Sequence, residues 1–585
     1  MSFIRKHTNL FACFALIFLS FIITLPFVTH AYHIDEPLFL RIAQQIKEHP
    51  LNPFGFIYMW NLKYEPIHEI AAFSPLFSYY LALVSLKYSF PPESLIHISL
   101  IPFSIISLLS FYFLSASLGF SKKISFASAL LLGCSPAFFV SANMAMPDVA
   151  SLSFALLSVT LGVAGWKKSS ILLLIFSGIF LGVAGLLRYN ALVLIFLLPF
   201  LGITLTSQFK KILLPSAITL GIFIAWNYVS RMITGENHAG EVISIFANME
   251  GWQSRFWSLN IHLTLCTFIP LLYLFLKKKY RWTALLAAVF VALDFGFFYG
   301  NRIKQFGIFP DFIFFALGIF CLGIALGEGI KKSRALFVKY LQMSDQKRSI
   351  FGKVLKNYFS FRDDADLRFV FFLLWVFGVL AIPVIYVQFA SKYLLIAQPP
   401  LIFLVLYLFK ETNSCIERVS LVFAPILLAI SLLIANADFE YANQYREQAN
   451  AIFEKEIIPI LRTEKSFSIP SIWFTGHWGW QYYWEKNGGL PISTQPQLDG
   501  EPQEGDFLVT PKFASATDLN PYLLKKSQKL LTLVLSTSLP IRTMNPLARV
   551  GLYSNHWGPL PFNFSETPSE EINFYRMKRE TDPNF

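Results

Sequence analysis

Thirteen apolar runs, separated by short basic loops, set the limits on what this chain can fold into. They lie near 10–29, 95–117, 124–143, 147–165, 170–187, 190–206, 212–230, 258–276, 282–299, 309–328, 369–389, 393–409 and 416–435. A bilayer takes about 20 apolar residues to cross as a helix. Only 14% of the 585 residues are charged and 55% are hydrophobic, whereas soluble domains carry about 25% charged residues. The sequence therefore predicts a polytopic α-helical membrane protein with about 13 transmembrane helices. The first run is longer than the core of a signal peptide and many spans follow it, so it is read as an uncleaved helix.

The net charge of +12 invites a nucleic-acid reading, but the positions of the cations argue against it. Lys122-Lys123, Lys167-Lys168, Lys210-Lys211 and Lys277 to Lys279 fall in alternate loops, and a long basic stretch runs from Lys331 to Arg368. This is the pattern of cytoplasmic loops. Residues 74–88 form a fourteenth apolar candidate. Counting it as a crossing would put every later cluster outside, so it is expected to lie along the outer interface. The N-terminus is then cytoplasmic in a cell-membrane protein. Asp35, Asp148, Arg188, Lys392 and everything after 435 lie on the outer side.

Two domains follow. Residues 1–435 form a transmembrane module whose outer loop, 30–94, carries an acidic pair and interfacial helices. Residues 436–585 form a small extracytoplasmic α/β domain. Within it, 438–465 reads as a polar amphipathic helix and His477 to Lys486 as an aromatic helix stopped by Gly488-Gly489. Strands are expected at 470–475, 507–509, 531–535 and 550–553. The five cysteines form no metal-ligand spacing, and no metal set is read; the sequence implies no firm cofactor and leaves a divalent-metal requirement open.

The residues that invite chemistry cluster on the outer side. Asp35-Glu36 follows the first span and precedes Pro37. Asp at that place also suits a helix cap, which is the plainer reading. Asp148 opens a later span, where a cap is again the plainer role. Arg188-Tyr189 and Lys392-Tyr393 end spans on the face where topology does not favour cations, and so suit an anionic head group. Arg302 and Lys304 are weaker candidates of the same kind. Asp294, inside a span, is expected to face a cavity or a partner. His477 offers a sugar or acceptor contact; packing of Trp478, Trp480, Tyr482, Tyr483 and Trp484 on the domain core is the favoured reading of that helix.

The ordered set resembles the GT-C glycosyltransferases, in the bacterial branch related to protein O-mannosyltransferases and the lipid A aminoarabinose transferase. Carrying the resemblance are Asp35-Glu36 after the first span, Ser74 to Tyr80, Asp148, Gly182 through Arg188, Lys392-Tyr393-Leu394-Leu395 with Pro399, and Gly476 to Tyr483. Phe73-Ser74-Pro75 replaces the His or Asn with two prolines found in many relatives. Arg188 stands where many have Lys, and Lys392 where many have Arg. The resemblance implies transfer of a sugar from a polyprenyl-phosphate-linked donor to an acceptor hydroxyl of protein, lipid or glycan, at the bilayer and without nucleic acid. With it, Asp35 is expected as base or acceptor-orienting carboxylate, Glu36 and Asp148 to position acceptor or donor sugar, and Arg188 and Lys392 to bind donor phosphate. A transporter or flippase of lipid-linked sugars is the alternative, and Asp294 is the residue that speaks for it.

Overall fold

The computed structural model describes residues 8–60, 62–70, 73–234, 251–275, 281–299, 309–345, 365–411, 416–463, 470–495, 500–514 and 520–578. Arg302 and Lys304 lie outside these residues. Eight described helices are long and apolar enough to cross a membrane, and three shorter apolar helices accompany them. These eleven account for all but two of the expected runs.

The two exceptions are broken by their own residues. The run at 124–143 divides into α5 (Lys122–Gly133) and α6 (Pro136–Ser141). Ser135 ends one and caps the next, its Oγ accepting from the Phe138 amide, with Pro136 in the first turn. The run at 258–276 divides into α11 (Trp252–Thr267) and α12 (Ile269–Tyr273), because Phe268 takes a left-handed φ of 56° before Pro270.

The helices that build the site follow in chain order. After α1 (Thr8–Thr24) come α2 (Glu36–Glu48) and α3 (Leu76–Val84). Nine residues of α3 span roughly 14 Å, under half a hydrocarbon core of about 30 Å. Next are α4 (Glu93–Ser117), α7 (Pro147–Lys168), α8 (Ile171–Leu187), α9 (Val193–Ile203) and α10 (Phe209–Thr234). Gly178 and Gly182 let α8 touch α10: a Cβ at either would stand 2.7 Å from Ile218 or 2.6 Å from Ile222. The later spans are α13 (Arg281–Tyr299), α14 (Phe309–Asp345), α15 (Ala365–Ile385), α16 (Gln398–Glu411) and α17 (Ile416–Ala451). The expected run at 393–409 begins as the 3-10 turn Ser391–Ala397 before α16.

Helix α17 runs unbroken through residue 436, so the change of composition there is not a break in the backbone. A π-turn at Ile452–Ile457 and a helix at Ile458–Thr463 continue it. The outer domain holds α18 (Trp478–Lys486) and one five-stranded sheet. Numbering β1 (Ile57–Trp60) and β2 (Lys63–Pro66) as a hairpin in the outer loop, the sheet contains β3 (Ile472–Phe474), β4 (Leu490–Pro491), β5 (Phe507–Pro511), β6 (Ser527–Leu535) and β7 (Glu570–Met577). Its order is β4-β3-β5-β7-β6, with β3 parallel to β4 and β5, and β7 antiparallel to β5 and β6. The strand that joins the two halves, β7, was not expected; its alternation of Ile572 and Phe574 with Asn573 and Tyr575 is partly hidden by flanking charge.

Candidate active site

The loop from Val28 to Asp35 brings the acidic pair to the top of α2. Asp35 precedes the helix, but its side chain makes no capping hydrogen bond. Its backbone carbonyl starts the helix instead, accepting from Leu38 and Phe39 amides at 3.1 and 3.4 Å. The carboxylate turns to Lys392, whose Nζ lies 2.9 Å from Oδ2. Lys392 is 4% exposed and Asp35 29% exposed, so the acid is the open member of the pair.

A second pair stands beside the first. Arg188 Nη2 lies 2.8 Å from Asp148 Oδ2, with Asp148 5% exposed. Arg188 also feels the charge of Asp35 and lies near Tyr393, and Tyr393 in turn feels both acids and Tyr386. The rings of Tyr386 and Tyr393 meet edge to face at 5.9 Å. Two acids, two cations and two phenols thus converge from the ends of α2, α7, α8 and α15 and the turn before α16. Asp148 does sit in the first turn of α7, where its charge also suits the helix dipole.

Glu36 points the other way. It is wholly buried, Oε2 accepting from the His33 amide at 2.7 Å and Oε1 from the Ala145 amide at 2.5 Å. Burial alone would raise its pKa; the contacts with His33 and His97 outweigh that and carry it down to about 2. A carboxylate so enclosed has no face for a sugar, which corrects the sugar contact expected from the resemblance. It fastens the acid loop to the turn before α7.

The reversal between Asp35 and Glu36 begins at Ile34, which takes φ of 52°. A β-branched residue in that region is a true outlier, costing about 1–3 kcal/mol. Contacts on either side hold it. Ala31 N donates to Asn443 Oδ1 and Arg446 to the Thr29 carbonyl, both from α17. Tyr32 N donates to the Tyr483 hydroxyl, which donates to Glu93. Gly479 opens α18 against the Tyr32 carbonyl so closely that a Cβ would lie 2.0 Å from it. Trp480, Tyr482, Tyr483 and Trp484 are buried, as the packing reading of this helix expects.

The outer domain also holds the Lys392 turn. Ser391 N donates to the Leu552 carbonyl at 2.9 Å and Phe389 N to Asn555 Oδ1 at 2.7 Å. His477 packs against Trp60 of β1 with centroids 5.7 Å apart and the rings tilted by 33°, at the seam between hairpin and domain. Tyr189 accepts from Trp226 Nε1 on α10 at 3.2 Å. Asp294 is exposed on α13.

Sequence reasoning passed over Tyr386, His30, His33, His97 and Asp438. The signals were present: two histidines and Glu36 at intervals of three, and an acid just past the last apolar run. His33 lies against both Glu36 and Asp438; burial lowers its pKa, but the two carboxylates prevail and raise it to about 9.

Residues 72–232 match the family described as dolichyl-phosphate-mannose-protein mannosyltransferase. No curated protein matches the chain. Among solved structures, the archaeal oligosaccharyltransferase AglB from Archaeoglobus fulgidus, in complex with an inhibitory peptide and a dolichol-phosphate, is 12% identical. That match covers 87% of this chain and 70% of AglB, with a TM-score of 0.45. ArnT from Cupriavidus metallidurans in the apo state is 14% identical over 86% of this chain and 93% of its own, with a TM-score of 0.38. ArnT bound to undecaprenyl phosphate gives 13%, 86%, 92% and 0.38. The stretch bearing Ser74 to Tyr80, Asp148 and Arg188 thus matches the protein mannosyltransferase branch that the pattern along the chain resembles.

Proposed function

We propose that this protein is a membrane glycosyltransferase that moves a sugar of the mannose class from a polyprenyl-phosphate donor to an acceptor hydroxyl at the outer face of the membrane. The observation that carries the reading is the Asp35 carboxylate, which declines the helix cap and stands partly open beside Asp148, Arg188 and Lys392. The match of residues 72–232 supports the donor class.

In this reading Asp35 takes the acceptor proton as the hydroxyl attacks the sugar carbon. Its negative charge also suits a transition state with cationic character at that carbon. The leaving group is a lipid phosphate, and the cations for it are Lys392 and Arg188. Both are engaged with carboxylates. An arriving phosphate competes with Asp35 for Lys392 and with Asp148 for Arg188. Donor binding would therefore release the Asp35 carboxylate for its acceptor, coupling the base to the presence of substrate. In this reading the N-terminus is cytoplasmic and the 436–585 region outside, which the lysine clusters support.

The test uses the full chain in nanodiscs with radiolabelled polyprenyl-phosphate mannose and an extract of outer-face proteins and lipids. Label is expected to move to an acceptor with the native chain. With Asp35→Asn it is expected to stay on the donor, although the variant still binds that donor. Transfer by Asp35→Asn at a near-native rate would remove Asp35 from the chemistry. No transfer by the native chain from any polyprenyl-phosphate sugar would remove the function.

A further inference from the structure

Behind the acid loop lies a second cluster that the transfer reading does not use. His30, His33, Glu36, His97 and Asp438 are each at most 2% exposed. His30 Nε2 lies 3.5 Å from Asp438 Oδ2, and His33 Nε2 lies 3.5 Å from Asp438 Oδ1. On the far side of its ring, His33 Nδ1 lies 3.4 Å from Glu36 Oε2. Among the described residues, one ligand atom each from His30, His33 and Glu36 fall within 4.8 Å of one another.

Two features of this cluster point to a ligand. First, the Nε2 atoms of both His30 and His33 are buried without a hydrogen-bond partner, though both face a carboxylate. Buried polar atoms are rarely left so, and an ion or water is a usual reason when they are. The oxygens around them do have partners. Asp438 accepts from Tyr553 and Thr543 hydroxyls at 2.6 and 3.2 Å, and Glu36 from two backbone amides. Second, the spacing of 3.5 Å is too long for a good N–H···O bond, which falls at about 2.7–3.2 Å. Each distance, to its own Asp438 oxygen, is close to that between two ligands of one metal. Ligands at roughly 2.1 Å from a tetrahedral zinc stand about 3.4 Å apart.

We propose that His30 and His33, set between the Glu36 and Asp438 carboxylates, bind a divalent transition-metal ion of the zinc class. Two imidazoles and a carboxylate are a borderline donor set, which favours zinc over magnesium or calcium. A carboxylate on the remaining ring nitrogen is the usual outer support for a ligating histidine, fixing its tautomer and orientation. Tyr553 and Thr543 support Asp438 in the same way. The ion joins three parts of the molecule: the acid loop, α17 and the outer domain. It sits behind Asp35, not in front of it, and so fixes the loop without entering the reaction.

The experiment needs no knowledge of the sugar or acceptor. Full-length protein, purified in detergent with a tag free of histidine, is stripped with a chelator, offered zinc chloride, desalted and assayed for metal by mass spectrometry. A single zinc per chain is expected, with a higher melting temperature than the stripped protein. His30→Ala and Asp438→Asn are each expected to lower the zinc content to background, while Lys392→Ala keeps it. Zinc at background in the reloaded native chain overturns the proposal, as does full zinc in both ligand variants. If either variant does not fold, cobalt substitution of the native chain decides: visible bands of a tetrahedral nitrogen–oxygen site support the assignment, and a spectrum of octahedral aqueous cobalt overturns it.

Discussion

Asp35 and Glu36 are neighbours on the chain and opposites in the fold. In front of the loop, Asp35 is partly open, and its pair with Lys392 is one of two that stand side by side. Behind it, Glu36 is closed in by histidines and backbone amides. One region keeps charges that a ligand can rearrange; the other has its carboxylate oxygens committed. The difference teaches how a loop can present a reactive group at a membrane surface. It is gripped by one face, so that the other stays free.

The largest expected effect separates the two carboxylates by activity. Asp35→Asn is expected to lower turnover by about 10²–10⁴-fold with a smaller fall in melting temperature than Glu36→Gln, since the side chain supports no helix amide and, though it pairs with the buried Lys392, is itself partly open. A fall in melting temperature as large as that of Glu36→Gln would erase the distinction between front and rear. Glu36→Gln is expected to destabilise by about 3–5 kcal/mol, the cost of breaking a buried charged pair, read as the shift of a denaturation midpoint in detergent.

The rear scaffold extends further, and pH reaches it. Tyr445 on α17 donates to Glu570 at 2.9 Å, and Lys512, Phe513 and Ala514 amides donate to the same carboxylate. Burial raises the Glu570 pKa to about 7 against the hydrogen bonds that lower it. Because the folded value is raised, the stabilisation is full below the unfolded value of about 4.5 and is lost as pH rises through about 7. Stability is expected to fall by up to about 3 kcal/mol between pH 4.5 and pH 8, with no loss in front-face pairing. Glu570→Gln should flatten that slope. The smallest effect belongs to the clamp: Gly479→Ala is expected to destabilise by about 1–3 kcal/mol, since its methyl would meet the Tyr32 carbonyl. Lower activity with an unaltered melting temperature would show that α18 serves the front face instead.

Much of this was legible in the sequence because membranes impose simple periodicities. The apolar runs marked eleven helices, eight of them long and apolar enough to cross a membrane, and the lysine clusters argued that the segment holding α3 does not cross. The four residues Asp35, Asp148, Arg188 and Lys392 do converge, from positions spread over 357 residues. What stayed hidden depends on direction. Nothing in the string says that Glu36 turns away from Asp35, because that follows from the left-handed Ile34. Nor does it say that each cation already holds an acid. The histidines at 30 and 33 read as the tail of the first span, and their meaning depends on Asp438, four hundred residues away. The breaks at Ser135 and Phe268 were overlooked because hydropathy averages across single residues.

The unbroken course of α17 through residue 436 has a mechanical meaning. A helix of 36 residues is a strut about 54 Å long, and it carries Asp438, Tyr441 and Tyr445 into the outer domain without a joint. A domain mounted on such a strut is joined to the membrane helices by continuous helical backbone from Asn436 to Ala451. In the proposed reading the acceptor would come to the domain, and the short elements Ser391–Ala397 and the hairpin are where the site has no long helix to brace it.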